Sequence, residues 1–322
     1  MARNPSRADS QARSTHGEID ERTLLSPALF SRYQQLIYQE SGIWLGEHKH
    51  ALLTGRLARR LRLLALNNMR EYFELVTQAD QQHERAMMID CITTNQTHFF
   101  REPRHFDFLT QQVFPRWLHE RTTGERSARL RIWSAGCSSG EEPYSLAMLL
   151  TKHFLAEQGW ECEVLGTDIC TRVLEKARAA VYAIEKAKEI PAEFLRAYML
   201  KGRGEHKAEM KVSPELHRLV RFARVNLHGD SYPILGSFDL IFCRNVLIYF
   251  DQASKQRVIA GLLRHLSPKG LLIVGHSEHL GSISPNLRSI APTIYSVVGN
   301  QGHTRMAATA AEPGSQMEYE TW

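Results

Sequence analysis

Arg131-Ile-Trp-Ser-Ala-Gly-Cys-Ser-Ser-Gly140-Glu-Glu-Pro-Tyr-Ser-Leu-Ala-Met-Leu-Leu150 runs from an apolar stretch, through a turn of glycine and small residues, into an amphipathic segment. That order predicts a strand, a tight loop and a helix, and such a loop turns backbone N–H groups toward a nucleotide-like ligand. The next apolar run, Cys162-Glu-Val-Leu-Gly-Thr-Asp168, ends on an acid. A Rossmann-type fold sets a carboxylate against ribose hydroxyls at that place. Together the two segments predict a bound adenosine.

Gly136 and Gly140 fit neither the G-x-G-x-x-G of dinucleotide sites nor the G-x-x-x-x-G-K-[ST] of phosphate loops, and no lysine follows to meet a phosphate. Glu141 and Glu142 at the helix start would repel a phosphate and suit a cation, although acids there also complement the helix dipole whatever is bound. An adenosine with a positive centre and no diphosphate describes S-adenosylmethionine.

The 322 residues leave room for two domains, 43% hydrophobic content supplies cores, and no 18-residue apolar run offers a membrane span. Residues 1–23 are polar without an apolar centre and are expected to form a disordered arm. The cysteines, Cys91, Cys137, Cys162, Cys170 and Cys243, show no C-x-x-C pairing. They read as reduced core thiols of a cytoplasmic protein. A net charge of +5 permits an acidic partner, either nucleic acid or protein.

Residues 24–96 read as wholly helical. Leu53, Leu57, Leu61 and Leu64 follow the 3.6-residue period, while Lys49, Arg56 and Arg60 form one basic stripe and Arg59 with Arg62 another. So many cations on one helix would be relieved by an acidic helical partner, or simply by solvent. Residues 97–300 alternate strands and helices, which predicts an α/β fold with a mostly parallel sheet. Strands are expected near 130–135, 163–167, 220–225, 239–243 and 271–276, with a final pair near 287–298. Helices are expected near 141–155, 170–180, 191–199 and 252–266. The polar segment at about 200–219 is too long for a bare loop and predicts a small antiparallel insertion. Residues 301–322 are expected to form a flexible tail.

Polar residues follow several of these strands: Asn226 and Leu227, Arg244 and Asn245, and His276-Ser277-Glu278. With Asp168 they would share one rim and predict a ligand cleft there. No metal-ligating pattern is expected among them.

The segment Thr93-Thr-Asn-Gln-Thr-His-Phe-Phe-Arg-Glu102, the Gly136-Cys-Ser-Ser-Gly-Glu-Glu-Pro-Tyr-Ser145 loop, Gly166-Thr-Asp-Ile169, Phe242-Cys-Arg-Asn-Val-Leu-Ile-Tyr-Phe-Asp251 and Gly275-His-Ser-Glu278 together resemble the CheR family of chemotaxis receptor methyltransferases. The resemblance covers roughly residues 25–300. It implies a small all-α domain followed by a Rossmann-like, class I methyltransferase domain with an inserted β-subdomain. The implied activity is methyl transfer from S-adenosylmethionine to glutamate side chains on receptor cytoplasmic helices, with S-adenosylhomocysteine as the other product.

Position by position, the resemblance implies that Asn95, Thr97 and Arg101 close over the cofactor. Glu142 would meet its methionyl part, Asp168 its ribose, and Asn226 with Leu227 its adenine, while Arg244 and Asn245 line the same cleft. Arg101 and Tyr249 would orient the substrate. The basic helix, through Arg56, Arg59, Arg60 and Arg62, would dock the receptor bundle. In some relatives the β-subdomain also takes a receptor C-terminal pentapeptide as an added strand. This chain's own end, Glu318-Tyr-Glu-Thr-Trp322, resembles that peptide, so a tail that docks on a β-subdomain is a further expectation.

A glutamate with a pKa near ~4.3 is already ionised at pH 7, so the implied reaction needs no general base. Two other readings share the adenosine site: a methyltransferase for nucleic acid or a small molecule, and a sensor that holds S-adenosylmethionine without turnover. Against the first stands the lack of an aromatic-rich basic strand and of an N/D-P-P-Y motif. Neither nucleic-acid binding nor membrane insertion is expected.

Overall fold

A computed structural model describes residues 25–298, Ser282 excepted; the expected arm over 1–23 and tail over 301–322 lie outside the described residues. The described residues open with four helices, α1 Pro27–Ser41, α2 His50–Leu63, α3 Met69–Val76 and α4 Gln82–Ile92. Ser26 starts α1 by accepting from Leu29 N at 3.2 Å, ahead of Pro27, and Gly42 in the left-handed region ends it. Asn68 starts α3 the same way. Apolar faces meet in one core, where Tyr33, Ile37, Leu53, Leu57, Leu61 and Tyr72 are fully buried.

Ten strands follow in the described residues: β1 Arg129–Ala135, β2 Glu161–Asp168, β3 Val181–Ala183, β4 Met199–Lys201, β5 Glu209–Val212, β6 Val220–Arg224, β7 Phe238–Cys243, β8 Leu266–Val274, β9 Leu287–Ala291 and β10 Ile294–Val297. Helices α5 Pro103–Phe108 and α6 Phe114–Thr122 precede β1, and α7 Glu141–His153, α8 Thr171–Ala179, α9 Ala192–Tyr198, α10 Pro214–Arg218 and α11 Gln252–Arg264 lie among the strands. Seven strands form one sheet in the order β6-β2-β1-β7-β8-β10-β9. It is parallel from β6 to β8, and β10 runs antiparallel to both its neighbours. The chain winds outward from β1 to β6 and then returns to β7 on the other side of β1. The crevice between β1 and β7 is therefore the switch point where open α/β sheets bind ligands.

Helices cover both faces of this sheet, which is why its strands read as near-continuous apolar runs. In β1, Ile132 packs with Tyr144 and Trp117 on one face, while Trp133 packs with Ile241 and Leu262 on the other. The expected α/β architecture is present, with differences in detail. The antiparallel sheet, ordered β3-β5-β4, starts upstream of the 200–219 segment, and residues after β5 form α10 in place of a strand. A three-residue strand such as β3 is too short to carry a period. A π-helical turn, Leu109–Val113, joins α5 to α6.

The helical domain sits on the carboxyl rim of the large sheet. Tyr38 Oη donates to Asp251 Oδ2 at 2.9 Å, Asn226 Nδ2 donates to Glu40 O at 2.8 Å, and Trp44 N donates to Tyr249 O at 2.9 Å. Among the described residues, no helix is long and apolar enough to cross a membrane.

Gly136, just past β1, shows how closely the rim is built. Its φ is 84°, and a Cβ there would land on Val246 Cγ2. Gly136→Ala is expected to cost about 2–4 kcal/mol of unfolding free energy, from the left-handed backbone and the forced shift of Val246. The urea midpoint should fall accordingly.

Candidate functional site

A cavity of about 350 Å³ opens at the switch point, past the ends of β1, β2 and β7. Asn95, Thr97, Arg101, Glu142, Asp168, Asn226, Leu227, Arg244, Asn245 and Tyr249, expected from the sequence at one cleft, all line it. The helical domain supplies the facing wall through Ile43, Trp44, Leu45, Lys49, Leu52 and Arg56. Sequence reasoning missed most of that wall. The available signal was the apolar Ile43-Trp-Leu45 held between Gly42 and Gly46.

Asp168 ends β2 with both oxygens engaged: Oδ2 accepts Ser138 N and Oδ1 accepts Cys170 N, each at 2.9 Å. Each oxygen keeps a further lone pair, as two ribose hydroxyls require. Burial lifts this carboxyl above the usual aspartate range, the N–H donors of Cys170 and Ser138 oppose the lift, and the charge of Asp90 adds to it. Asn95 reaches over the loop, its carbonyl accepting Ser138 Oγ at 2.8 Å. The Asn226 side chain accepts His228 N at 3.0 Å besides its bond to α1.

The two glutamates that open α7 do not stand bare for a bound cation. Glu141 is buried against Lys186 Nζ at 2.5 Å, and that ammonium also donates to Thr97 O at 3.2 Å. Glu142 accepts Ser134 Oγ and Arg244 Nε, both at 2.7 Å. Arg244 is only 5% exposed and lies over the rings of Phe106 and Phe242. Its Nη1 donates to Arg101 O at 2.6 Å and to His105 Nδ1 at 3.0 Å. A guanidinium cannot accept, so His105 Nδ1 carries no proton and Nε2–H faces Thr293 Oγ1 at 2.9 Å. Burial, and then the Arg244 charge, push His105 down to about 4.

Asn245, with φ 59°, hangs its backbone N–H on Glu278 Oε2 at 2.8 Å. Glu278 also accepts Gly275 N at 2.7 Å and Ile248 N at 3.2 Å. The His276-Ser277-Glu278 cluster thus braces the loop that carries Arg244 and Tyr249 from behind, and it does not line the cavity. Tyr249 is half-buried at the wall.

The basic helix α2 divides. Arg59 and Arg62 are exposed beside Leu63, which is 65% exposed. Arg60 instead turns inward, its Nε donating to Glu84 Oε1 at 2.7 Å, and Tyr72 Oη donates to the same oxygen at 2.8 Å. Arg56 is tied to Ile92 O and Thr94 Oγ1 at the cavity edge. Of the four arginines expected to dock a partner, Arg59 and Arg62 are exposed, while Arg56 and Arg60 have internal acceptors that residue spacing does not reveal.

Glu102, His105 and His276 bring ligand atoms within 4.8 Å of one another. Arg244 Nη1 already occupies that space, 3.0 Å from His105 Nδ1 and 3.5 Å from Glu102 Oε2. A metal ion would have to displace a guanidinium.

The donor set suits a nucleoside. A cradle at Gly136 that a Cβ would fill, lone pairs left on Asp168 and an apolar facing wall fit an adenosine cofactor without phosphates.

Two measurable consequences follow from these partners. Arg60→Ala would strand the buried Glu84, at a cost of about 3 kcal/mol, visible in the urea midpoint. His105 is held neutral, so its share of stability is full above the unfolded pKa of about 6.5 and is lost as pH falls toward the folded value. Between pH 7 and pH 4.5 the wild type should lose on the order of 2–3 kcal/mol that His105→Gln does not, with both proteins compared by urea titration.

Comparison with known proteins accounts for both parts of the chain. Residues 28–93 match the family model described as CheR methyltransferase, all-alpha domain, and residues 95–295 match CheR methyltransferase, SAM binding domain. A chemotaxis protein methyltransferase of Escherichia coli (strain K12) is 40% identical over 281 residues, covering 87% of this chain and 94% of the relative. A namesake from Klebsiella aerogenes is 38% identical over 295 residues, covering 92% and 98%. Chemotaxis protein methyltransferase 2 of Pseudomonas aeruginosa is 38% identical over 268 residues, covering 83% and 92%. The cavity lies where the two matched regions meet, and the chain belongs to the CheR methyltransferase family, as an S-adenosylmethionine-dependent enzyme.

Proposed function

We propose that this enzyme transfers the methyl group of S-adenosylmethionine to glutamate side chains on the cytoplasmic helices of chemoreceptors, leaving glutamyl methyl esters and S-adenosylhomocysteine. The observation that carries this reading is the shared cavity: the sheet rim forms one wall and the helical domain the other. A substrate that docks on the helical domain therefore reaches the cofactor pocket directly.

Bound in the cavity, the cofactor supplies an electrophilic methyl group on a sulfonium. Asp168 accepts the ribose hydroxyls, and Asn226 and Leu227 border the adenine. Asn95, Thr97 and Arg101 close the pocket from the interdomain segment and exclude water. Glu142, already paired with Arg244, presents its carboxylate edge to the methionyl ammonium. The acceptor carboxylate arrives ionised and hydrated, so Arg101 and Tyr249 replace its water and aim one oxygen along the line of the S–C bond. Positioning of this kind can supply on the order of 7–11 kcal/mol. No proton has to move.

Arg59 and Arg62 are exposed cations of α2 that can meet an acidic helical bundle. In the small sheet, β4 is an outer strand whose Leu200 is 52% exposed. It is the edge at which a receptor C-terminal pentapeptide would add as a further strand.

Incubation with methyl-labelled cofactor and receptor cytoplasmic fragments should give base-labile label on glutamates, and calorimetry should show binding of S-adenosylhomocysteine. The double variant R59E/R62E should lower transfer about tenfold or more while leaving that binding unchanged. Absence of label on every receptor fragment, with cofactor binding intact, would sink the substrate assignment.

A further inference from the structure

We infer that Asp90, a residue of the helical domain, is a positioning residue for the cofactor, clamping both the turn that presents Asp168 and the segment that closes over the cavity. Asp90 lies near the end of α4 and is 1% exposed. Its Oδ1 accepts Thr171 N and its Oδ2 accepts Arg172 N, each at 3.1 Å. These are the first N–H groups of α8, whose own preceding residue, Cys170, supplies no side-chain cap. The cap is provided across the domain boundary.

The turn between Asp168 and Arg172 is thus held by two carboxylates. Asp168 takes Ser138 N and Cys170 N, and Asp90 takes the next two N–H groups along the chain. The backbone around Asp90 is pinned as well. Its carbonyl accepts Arg172 Nη2 at 3.1 Å and Thr93 Oγ1 at 3.2 Å. From that point the chain runs straight into cavity wall. Thr93, Thr94 and Asn95 line the pocket, and Asn95 O receives Ser138 Oγ. Ser138 is also the residue that donates its backbone N–H to Asp168, so the network closes on itself.

Loss of the Asp90 carboxylate removes the acceptors of two part-buried N–H groups and, with them, the anchor that fixes the turn carrying Asp168 against α4. Reciprocally, a nucleoside that engages Asp168 favours the seated position of the helical domain. This inference rests on the placement of the ribose against Asp168.

A general interdomain adhesive would act differently from a clamp on the ribose turn. Tyr38 provides the contrast: its hydroxyl bridges α1 to Asp251 at 2.9 Å and Ser254 at 3.1 Å, and it does not line the cavity. The experiment measures S-adenosylhomocysteine binding by calorimetry and S-adenosylmethionine kinetics at saturating receptor fragment, for wild type, D90A, D90N and Y38F. D90A should weaken binding and raise KM about tenfold, with kcat within about threefold. D90N, which keeps one acceptor, should fall between, and Y38F should stay within about twofold of wild type.

The inference is overturned if D90A binds like wild type, or if Y38F and D90A shift KM equally. Should D90A fail to fold, D90N decides by the same comparison, with a rise of about threefold or more required. If the wild type itself binds no nucleoside, the ribose placement falls and this inference with it; if it binds and the Asp90 variants match it, only the role of Asp90 falls.

Discussion

One guanidinium holds three separate segments of the rim together. Arg244 follows β7, the Glu142 it pairs with opens α7, and the carbonyl of Arg101 and the ring of His105 it also meets belong to the interdomain segment and α5. A buried cation is costly to desolvate, and its N–H groups must all be answered. Here the Glu142 carboxylate, the Arg101 carbonyl and the unprotonated His105 nitrogen accept three of them, and the Glu102 carboxylate at 3.5 Å and two aromatic rings add charge contacts. Displacing any one of these partners would move the others, so the rim behaves as a single unit.

The backbone around the cavity carries a matching constraint. Phe100, Glu102, Ser138 and Asn245 all have positive φ although none is glycine. Each lies on a segment that lines or closes the pocket. Strain of this kind persists only where surrounding contacts over-determine it. Those contacts are visible: Glu278 grips the N–H of Asn245, Asp168 that of Ser138, and Ser145 Oγ accepts Phe100 N at 3.0 Å.

Much of this was legible in the sequence, for physical reasons. A strand buried on both faces writes itself as an unbroken apolar run, so β1, β2 and β7 stand out, and the residue just past each run falls at the ligand edge by topology alone. Asp168, Arg244 and Asn226 were found that way. The helical period of α2 was equally plain. What could not be read were partners brought together from afar. Lys186 beside Glu141, Glu84 beneath Arg60 and Ile92 against Arg56 depend on how helices pack, and a helix's charge stripe looks the same whether its cations face acids or water. The upstream origin of the small sheet was hidden because three residues of β3 carry no usable alternation.

The two-sided pocket has a consequence for how such enzymes diversify. Because Trp44, Lys49 and Arg56 line the cavity from the same short stretch that leads into the outward-facing Arg59 and Arg62, the proposed docking surface and one wall of the donor chamber are inherited as one block. A graft of this helical unit from a relative with different targets would import foreign walls into the donor chamber.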